Sequence, residues 1–304
     1  MEIRNRLHKF MPLNKQSRTI RRIQQHEYGI VMKKILTEEG RKDISYWVNR
    51  ARNMAGTSEI IDLESLALHA GIKIKRGNYN NEFLGMLVYD GNQFTIHLHV
   101  EPGDNLTSPF LRYTLAHELG HFFIFSHKAR LLRGEGAWKE GYILVGDELT
   151  EKEAEYFASC LLMPEEYIVP LFESAPLTHR LLWDCARHFK VSLAAMTGRY
   201  AMLGPTPILM VWSSNGQYEK ANKSKGFPFF KLNLATGNRM PECCFAAQIN
   251  QLNGTNETLI QSLPARSVLK SSRPIPGDMT LIEFSYFLHR PSGKMLSVFW
   301  EDGV

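Results

Sequence analysis

The sequence has few features of a secreted or membrane-spanning protein. It contains four cysteines in 304 residues, and their spacing matches neither a disulfide framework nor a Cys-x-x-Cys metal site. The cysteines are Cys160, Cys185, Cys243 and Cys244. No hydrophobic run approaches the roughly 18 residues of a membrane span. The apolar stretch at residues 10–13 contains a proline and is too short for a signal peptide. We therefore expect a cytoplasmic protein that does not cross a membrane.

Most of the chain also lacks an excess of charge of either sign. The net charge is +5, but residues 1–42 hold eleven Lys and Arg against four Asp and Glu, a balance of +7. The other 262 residues therefore carry a net charge of −2. We interpret residues 1–42 as a basic N-terminal arm, most simply a solvated basic helix. Contact with nucleic acid or another charged partner is the alternative.

The remaining composition, with 44% hydrophobic and 22% charged residues, is typical of a globular protein, and the length favours two packed units. Helical periodicity marks residues 44–55 and 62–70. Alternating residues at 83–89 and 93–100, separated by Asp90-Gly91-Asn92, then predict a hairpin in a small antiparallel sheet. We interpret His97 and His99 as polar residues on the wet face of an edge strand rather than as a metal pair.

A largely apolar helix is predicted from about Pro109 to Ser126, and it contains His117, Glu118 and His121. Burying such groups is costly unless each has a partner. The two histidines are four residues apart, so they lie on one face and can bind one metal ion. Glu118 can then accept a proton from a water that the metal activates. The alternative is two core histidines and a buried acid that are satisfied by neighbouring groups.

A catalytic zinc site needs a third protein ligand, and a second helix over residues 151–163 offers candidates. Thr150 and Glu153 have the spacing of a capping box, which gives Glu153 a structural role. Glu151 and Glu155 lie one turn apart on the apolar face. If this helix packs on the first one, Glu151 is the third ligand, and Glu155 can hold a histidine ring in place. Two histidines and one carboxylate favour zinc, although manganese or iron also suits this set.

These two blocks carry a family resemblance. Thr114-Leu-Ala-His-Glu-Leu-Gly-His121, followed thirty positions later by Glu151-Lys-Glu-Ala-Glu-Tyr-Phe-Ala, resembles the ImmA/IrrE family of zinc metallopeptidases over roughly residues 45–203. The resemblance implies that His117, His121 and Glu151 match the metal ligands and that Glu118 matches the catalytic glutamate. The sequence departs from the family at Glu155, where an asparagine is usual, and this adds negative charge near the metal.

The resemblance also implies a fold and a function. The fold is α+β, a mainly helical zincin-like peptidase domain with a small antiparallel sheet, which we place at residues 43–176. The function is that of a cytoplasmic zinc endopeptidase in regulatory, site-specific proteolysis. The usual target is a helix-turn-helix transcriptional repressor, cleaved in a stress or mobile-element response. The alternative function is a metal-containing regulatory protein that binds DNA or protein without peptidase activity.

Two further elements of such an enzyme stay open in the sequence. An oxyanion formed during cleavage needs a hydrogen-bond donor, and Tyr113, His127 and Tyr142 are candidates among which the sequence does not choose. His127 is interpreted as a helix-end residue rather than as a ligand. The strand over residues 93–100 can align a substrate segment by pairing along its edge.

The C-terminal third has a different pattern. Residues 177–204 resemble a helix-turn-helix segment, but Arg199 is the only basic group on its second helix. We therefore favour packing within the peptidase unit over DNA reading. Residues 205–304 predict a β-rich or α+β accessory domain, where some family members carry a GAF-like sensor. The pair Cys243-Cys244 can sense redox state or metal, although two ordinary thiols on a strand are the simpler interpretation.

Overall fold

The computed structural model describes residues 36–56, 58–80, 82–104, 107–134, 148–227, 231–249, 259–271 and 274–303. The predicted α+β class is confirmed, with a helical region followed by a region rich in strands. Most of the predicted basic arm, residues 1–35, lies outside the described residues. No described helix combines the length and the hydrophobicity needed to cross a bilayer.

The chain divides into two compact units. The first comprises Met1–Ile168 with Asp184–Met196, and the second comprises Val169–Trp183 with Thr197–Val304. The helix-turn-helix-like segment over residues 177–204 is thus shared between the units. Our division at residues 42, 176 and 204 remains a prediction, because compactness alone does not define separately folding domains.

The first unit contains helices whose ends follow from local sequence. They are α1 (Glu38–Ala55), α2 (Leu63–His69), α3 (Pro109–Phe123), α4 (Phe125–Leu132) and α5 (Glu148–Leu162). The side chain of Asp62 caps α2 by accepting hydrogen bonds from two backbone N–H groups. Ser108 caps α3 by accepting a hydrogen bond from the N–H of Leu111, and Pro109 occupies the first turn of this helix. These helix starts agree with the sequence prediction.

Two predicted helix limits were wrong. The helix predicted to run to Ser126 ends at Phe123, because Ile124 has an extended backbone (φ −67°, ψ 116°) and a new helix begins at Phe125. The second helix begins at Glu148, so Thr150 lies inside its first turn and the predicted capping box does not form. Thr150 instead accepts a hydrogen bond from Arg130 (3.3 Å).

The small sheet of the first unit consists of β1 (Ile72–Gly77), β2 (Gly85–Tyr89) and β3 (Phe94–His99), in the order β1–β3–β2. The hairpin between β2 and β3 is confirmed and antiparallel, whereas β1 pairs with β3 in parallel. Because β3 is the central strand and both of its edges are paired, it cannot align a substrate by edge pairing. That prediction was wrong.

The interpretation of His97 and His99 as polar groups on a wet face was also wrong. Their exposed fractions are 3% and 5%. The hydroxyl of Tyr79 lies 2.7 Å from Nδ1 of His97, and the backbone N–H of Tyr79 donates to Nδ1 of His99. The segment between β1 and β2 therefore covers this face of the sheet, an arrangement that alternation within β3 does not reveal.

Three helices follow α5 and include residues of both units: α6 (Glu165–Glu173), α7 (His179–His188) and α8 (Leu193–Leu203). Arg199, the only basic residue of α8, is 2% exposed. This burial agrees with packing of α8 rather than with DNA reading.

The rest of the second unit is built on an antiparallel sheet. Its strands are β4 (Leu209–Ser214), β5 (Gln217–Lys223), β7 (Leu259–Pro264), β9 (Thr280–His289) and β10 (Lys294–Glu301), in the order β5–β4–β10–β9–β7. A smaller pair joins β6 (Lys231–Leu232) to β8 (Leu269–Lys270), and the short helices are Thr236–Asn238, α9 (Ala265–Val268) and Arg290–Ser292. Buried Val211, Leu281 and Phe299 belong to the core of this unit.

A β-rich C-terminal region is thereby confirmed, while the likeness to a GAF domain stays a prediction. Cys243 and Cys244 lie in turns rather than on a strand.

Candidate metal centre

The site depends on close packing of α3 against α5. At the crossing, a Cβ atom on Gly120 would lie 3.1 Å from the ring of Phe157 and 3.3 Å from the backbone of Ala154. Small residues at this point therefore let the two helix backbones approach closely. Glu151 lies one turn before Ala154, so the same packing brings its carboxylate to the histidine face of α3.

The structure brings together the three predicted metal ligands. Nε2 of His117 lies 3.1 Å from Nε2 of His121 and 3.3 Å from Oε2 of Glu151. Nε2 of His121 lies 3.7 Å from Oε1 of Glu151. Two ligand atoms that bind one tetrahedral zinc ion at about 2.0–2.1 Å are about 3.3 Å apart. The donor types and their separations therefore fit one such ion.

The electrostatics of the centre favour a cation. Burial lowers the pKa of His117, but the hydrogen bond and the charge of Glu151 outweigh that effect. With the further charges of Glu118 and Glu155, the pKa of His117 is raised to about 9. The pKa of His121 is lowered well below its usual value, first by burial and then by neighbouring basic groups. The carboxylates thus stabilise positive charge at His117.

Glu118 lies beside these ligands and beneath strand β2. It is 6% exposed, and a Cβ atom on Gly85 would lie 2.7 Å from its Oε1. Burial raises the pKa of Glu118 to about 7, although the charge of His117 and the backbone N–H of Leu87 oppose this shift. A carboxyl group with a pKa near neutrality can both accept and release a proton at the pH of a cell.

His127 and Glu153 make contacts next to His121 that the sequence did not indicate. Nδ1 of His121 lies 3.2 Å from Nδ1 of His127, and Nε2 of His127 lies 2.8 Å from Oε2 of Glu153. His127 is 1% exposed and lies in the first turn of α4 rather than at the end of the helix that carries His121. Glu153 binds His127 instead of closing a capping box. The sequence signal for this contact was a histidine six residues after His121.

The other residues named from the sequence have varied positions. Glu155 is buried, and its role as a support for a histidine ring remains a prediction. The hydroxyl of Tyr113 donates to the backbone carbonyl of Glu155 (3.2 Å), and both ring nitrogens of His127 have partners. In this arrangement the hydroxyl of Tyr113 and the ring nitrogens of His127 are engaged within the protein and do not donate to an oxyanion. Tyr142 lies outside the described residues.

Two histidines and a glutamate on α3, with a carboxylate from α5, have the residue types and spacing of a zinc metallopeptidase motif. Residues 89–199 match the model of peptidase family M78, described as the IrrE N-terminal-like domain. The resemblance to the ImmA/IrrE family is thereby confirmed for this part of the chain, which contains all four predicted site residues. No curated protein matches the sequence.

A solved structure with a similar fold is described as a Mycobacterium tuberculosis transcriptional regulator. The TM-score is 0.53 and the sequence identity is 11%, and the similarity covers 92% of this chain and 91% of that chain. At this identity the likeness concerns the fold alone. It extends well beyond the residues that match the family model.

Proposed function

We propose that this protein is a cytoplasmic zinc-dependent endopeptidase that performs regulatory, site-specific cleavage of another protein. The observation that carries the proposal is the convergence of His117, His121 and Glu151, whose ligand atoms all lie within 4.8 Å of one another. This convergence occurs within the part of the chain that matches a peptidase family. A structural core cluster would not require three donors to face one point.

His117, His121 and Glu151 would hold the metal ion. Zinc suits this set best, and manganese or iron would be accepted by the same donors. When bound, zinc supplies a Lewis acid that lowers the pKa of water towards neutrality and polarises a carbonyl group.

Glu118 performs the proton transfers. Its carboxylate accepts a proton from the attacking water and returns it to the nitrogen of the leaving peptide. Its environment prepares both steps, because burial raises its pKa to about 7 and the N–H of Leu87 holds it in place. The absence of a side chain at Gly85 leaves space for the carboxylate.

Strand β2 offers an edge along which a substrate can align. The N–H of His99 donates to Leu84, and the N–H of Asp90 donates to Gln93. In an antiparallel pair, alternate residues bond to the same neighbour, so the N–H of Leu87, which bonds to Glu118, and its carbonyl point away from β3. Among the described strands none pairs with this outer edge. A peptide in extended conformation that pairs there would run beside Glu118.

The class of substrate rests on the family resemblance. A helix-turn-helix transcriptional repressor is the target that the resemblance implies, cleaved in a stress or mobile-element response. Regulatory cleavage of this kind needs access to one segment of a folded protein, and the edge of β2 is suited to one extended segment.

Metal analysis tests the proposal, together with a comparison of two strains that carry either the native protein or its Glu118→Gln variant. The purified protein should contain close to one equivalent of zinc, and Glu118→Gln should retain the metal but lose cleavage. Proteomes of the two strains should differ by one cleavage product, which is present with the native protein and absent with Glu118→Gln. Cleavage that survives Glu118→Gln would refute the mechanism. A salt-dependent, sequence-selective DNA shift without cleavage would support the alternative of a regulatory binding protein.

A further inference from the structure

A chain of three side chains extends from the candidate metal centre into the protein. Nδ1 of His121 lies 3.2 Å from Nδ1 of His127, whose Nε2 lies 2.8 Å from a carboxylate oxygen of Glu153. His121 and His127 are 2% and 1% exposed. Nδ1 of His121 and both ring nitrogens of His127 therefore have their hydrogen-bond partners within this chain of three side chains.

The carboxylate at the end of this chain sets the direction of every hydrogen bond in it. An ionised carboxylate can only accept, so Nε2 of His127 must carry the hydrogen and donate to Glu153. In a neutral imidazole only one nitrogen carries hydrogen, and the other, here Nδ1, is then an acceptor. Nδ1 of His121 must therefore donate to it, which leaves Nε2 of His121 with a lone pair. That atom is the one that faces His117 and Glu151.

The contact between His121 and His127 depends on the break between α3 and α4. In one continuous helix, residues six apart project in different directions and are separated by about 9 Å along the axis. The extended backbone of Ile124 ends α3 and starts α4 at a new angle. This change of direction returns His127 to the ring of His121.

We propose that His127 and Glu153 are positioning residues, which hold His121 in the tautomer with hydrogen on Nδ1 and aim its Nε2 at the metal. This inference rests on the metal site of the proposed function. Neither residue touches the metal or the substrate. Outer partners of this kind typically contribute 10- to 100-fold to metal affinity.

A network that served only to satisfy buried polar groups would work equally well in the opposite direction, with a protonated Glu153 donating to Nε2 of His127. His127 would then carry hydrogen on Nδ1, and the hydrogen of His121 would lie on Nε2, where it blocks a metal. The position of the hydrogen therefore distinguishes positioning from simple burial. Long-range ¹H–¹⁵N correlation spectra of the full-length protein report this position directly for each ring.

The experiment combines these spectra with zinc titration against a chromophoric chelator. In the wild-type protein we expect hydrogen on Nε2 of His127 and on Nδ1 of His121. Glu153→Leu should weaken zinc binding about 10- to 100-fold. The matched control is Glu148→Leu on the same helix, which removes an exposed ion pair with Lys152 and should leave zinc affinity unchanged.

Each outcome decides one question. Hydrogen on Nδ1 of His127, hydrogen on both of its nitrogens, or unchanged zinc affinity in Glu153→Leu would overturn the positioning role. A wild-type protein that binds no zinc would instead refute the proposed function. If Glu153→Leu fails to fold, the tautomers in the wild-type spectra still decide between positioning and burial.

Discussion

The contact between strand β2 and the proposed catalytic glutamate allows a sharp test with a single methyl group. A Cβ atom on Gly85 would lie 2.6 Å from Cγ2 of Thr114, 2.7 Å from Oε1 of Glu118 and 2.9 Å from Cγ of Glu118. Ordinary carbon contacts are about 3.5–4.0 Å, so Gly85→Ala requires movements of nearly 1 Å. The backbone of Gly85 is not left-handed, and alanine therefore brings no conformational strain.

The carboxylate is the most mobile of the contacted groups, so we expect Glu118 to be displaced. A misplacement of about 1 Å in an active site can cost about 100-fold in rate, and overpacking costs about 1–3 kcal/mol of stability. Zinc content should not change, because the contacted residues, Thr114 and Glu118, are not the proposed metal ligands. We therefore expect kcat/KM to fall about 100-fold while zinc is retained.

The assay is cleavage of the substrate identified with Glu118→Gln, together with metal analysis and thermal unfolding. Gly77→Ala on strand β1 of the same sheet is the matched control, since its Cβ would be 3.7 Å or more from its nearest neighbours. Gly77→Ala should be active. Wild-type activity of Gly85→Ala would refute the packing argument, and loss of its zinc would show that the ligands depend on the same contact.

Three further predictions concern other parts of the structure. Glu151→Ala should lose zinc in metal analysis, whereas Glu155→Asn, which restores the usual family residue, should keep it. The opposite pattern would show that Glu151 is not the third ligand. Gly120→Ala should weaken zinc binding in a chelator titration, since its Cβ would meet the backbone of α5 at 3.3 Å; unchanged affinity would mean that α3 and α5 can separate without moving Glu151. Burial raises the pKa of Glu283 from 4.5 to about 7, so the unfolded chain loses this proton first as pH rises. The contribution of Glu283 to stability should therefore be fullest below pH 4.5 and be lost towards pH 7, by an amount on the order of 3 kcal/mol. Urea unfolding at several pH values checks this, and a Glu283→Gln variant with the same pH dependence as the wild type would contradict it.

The sequence by itself determined the features that arise from short-range geometry. His117 and His121 share a face because the helix repeats every 3.6 residues, and Ser108-Pro109 starts that helix wherever it packs. Asp90-Gly91-Asn92 likewise specifies a tight hairpin, with Gly91 in the left-handed region. The family signature consists of such local blocks, which explains why it could be recognised and was confirmed over residues 89–199.

Only the tertiary structure decided which groups meet across the fold. Pairing with β1 made β3 a central strand, and the approach of α5 to α3 turned Glu153 from a predicted cap into the partner of His127. Gly85 acquires its importance from Glu118, 33 positions further along the chain. Such contacts depend on competition between alternative partners that are distant in sequence, and a local pattern of residue types does not contain that information.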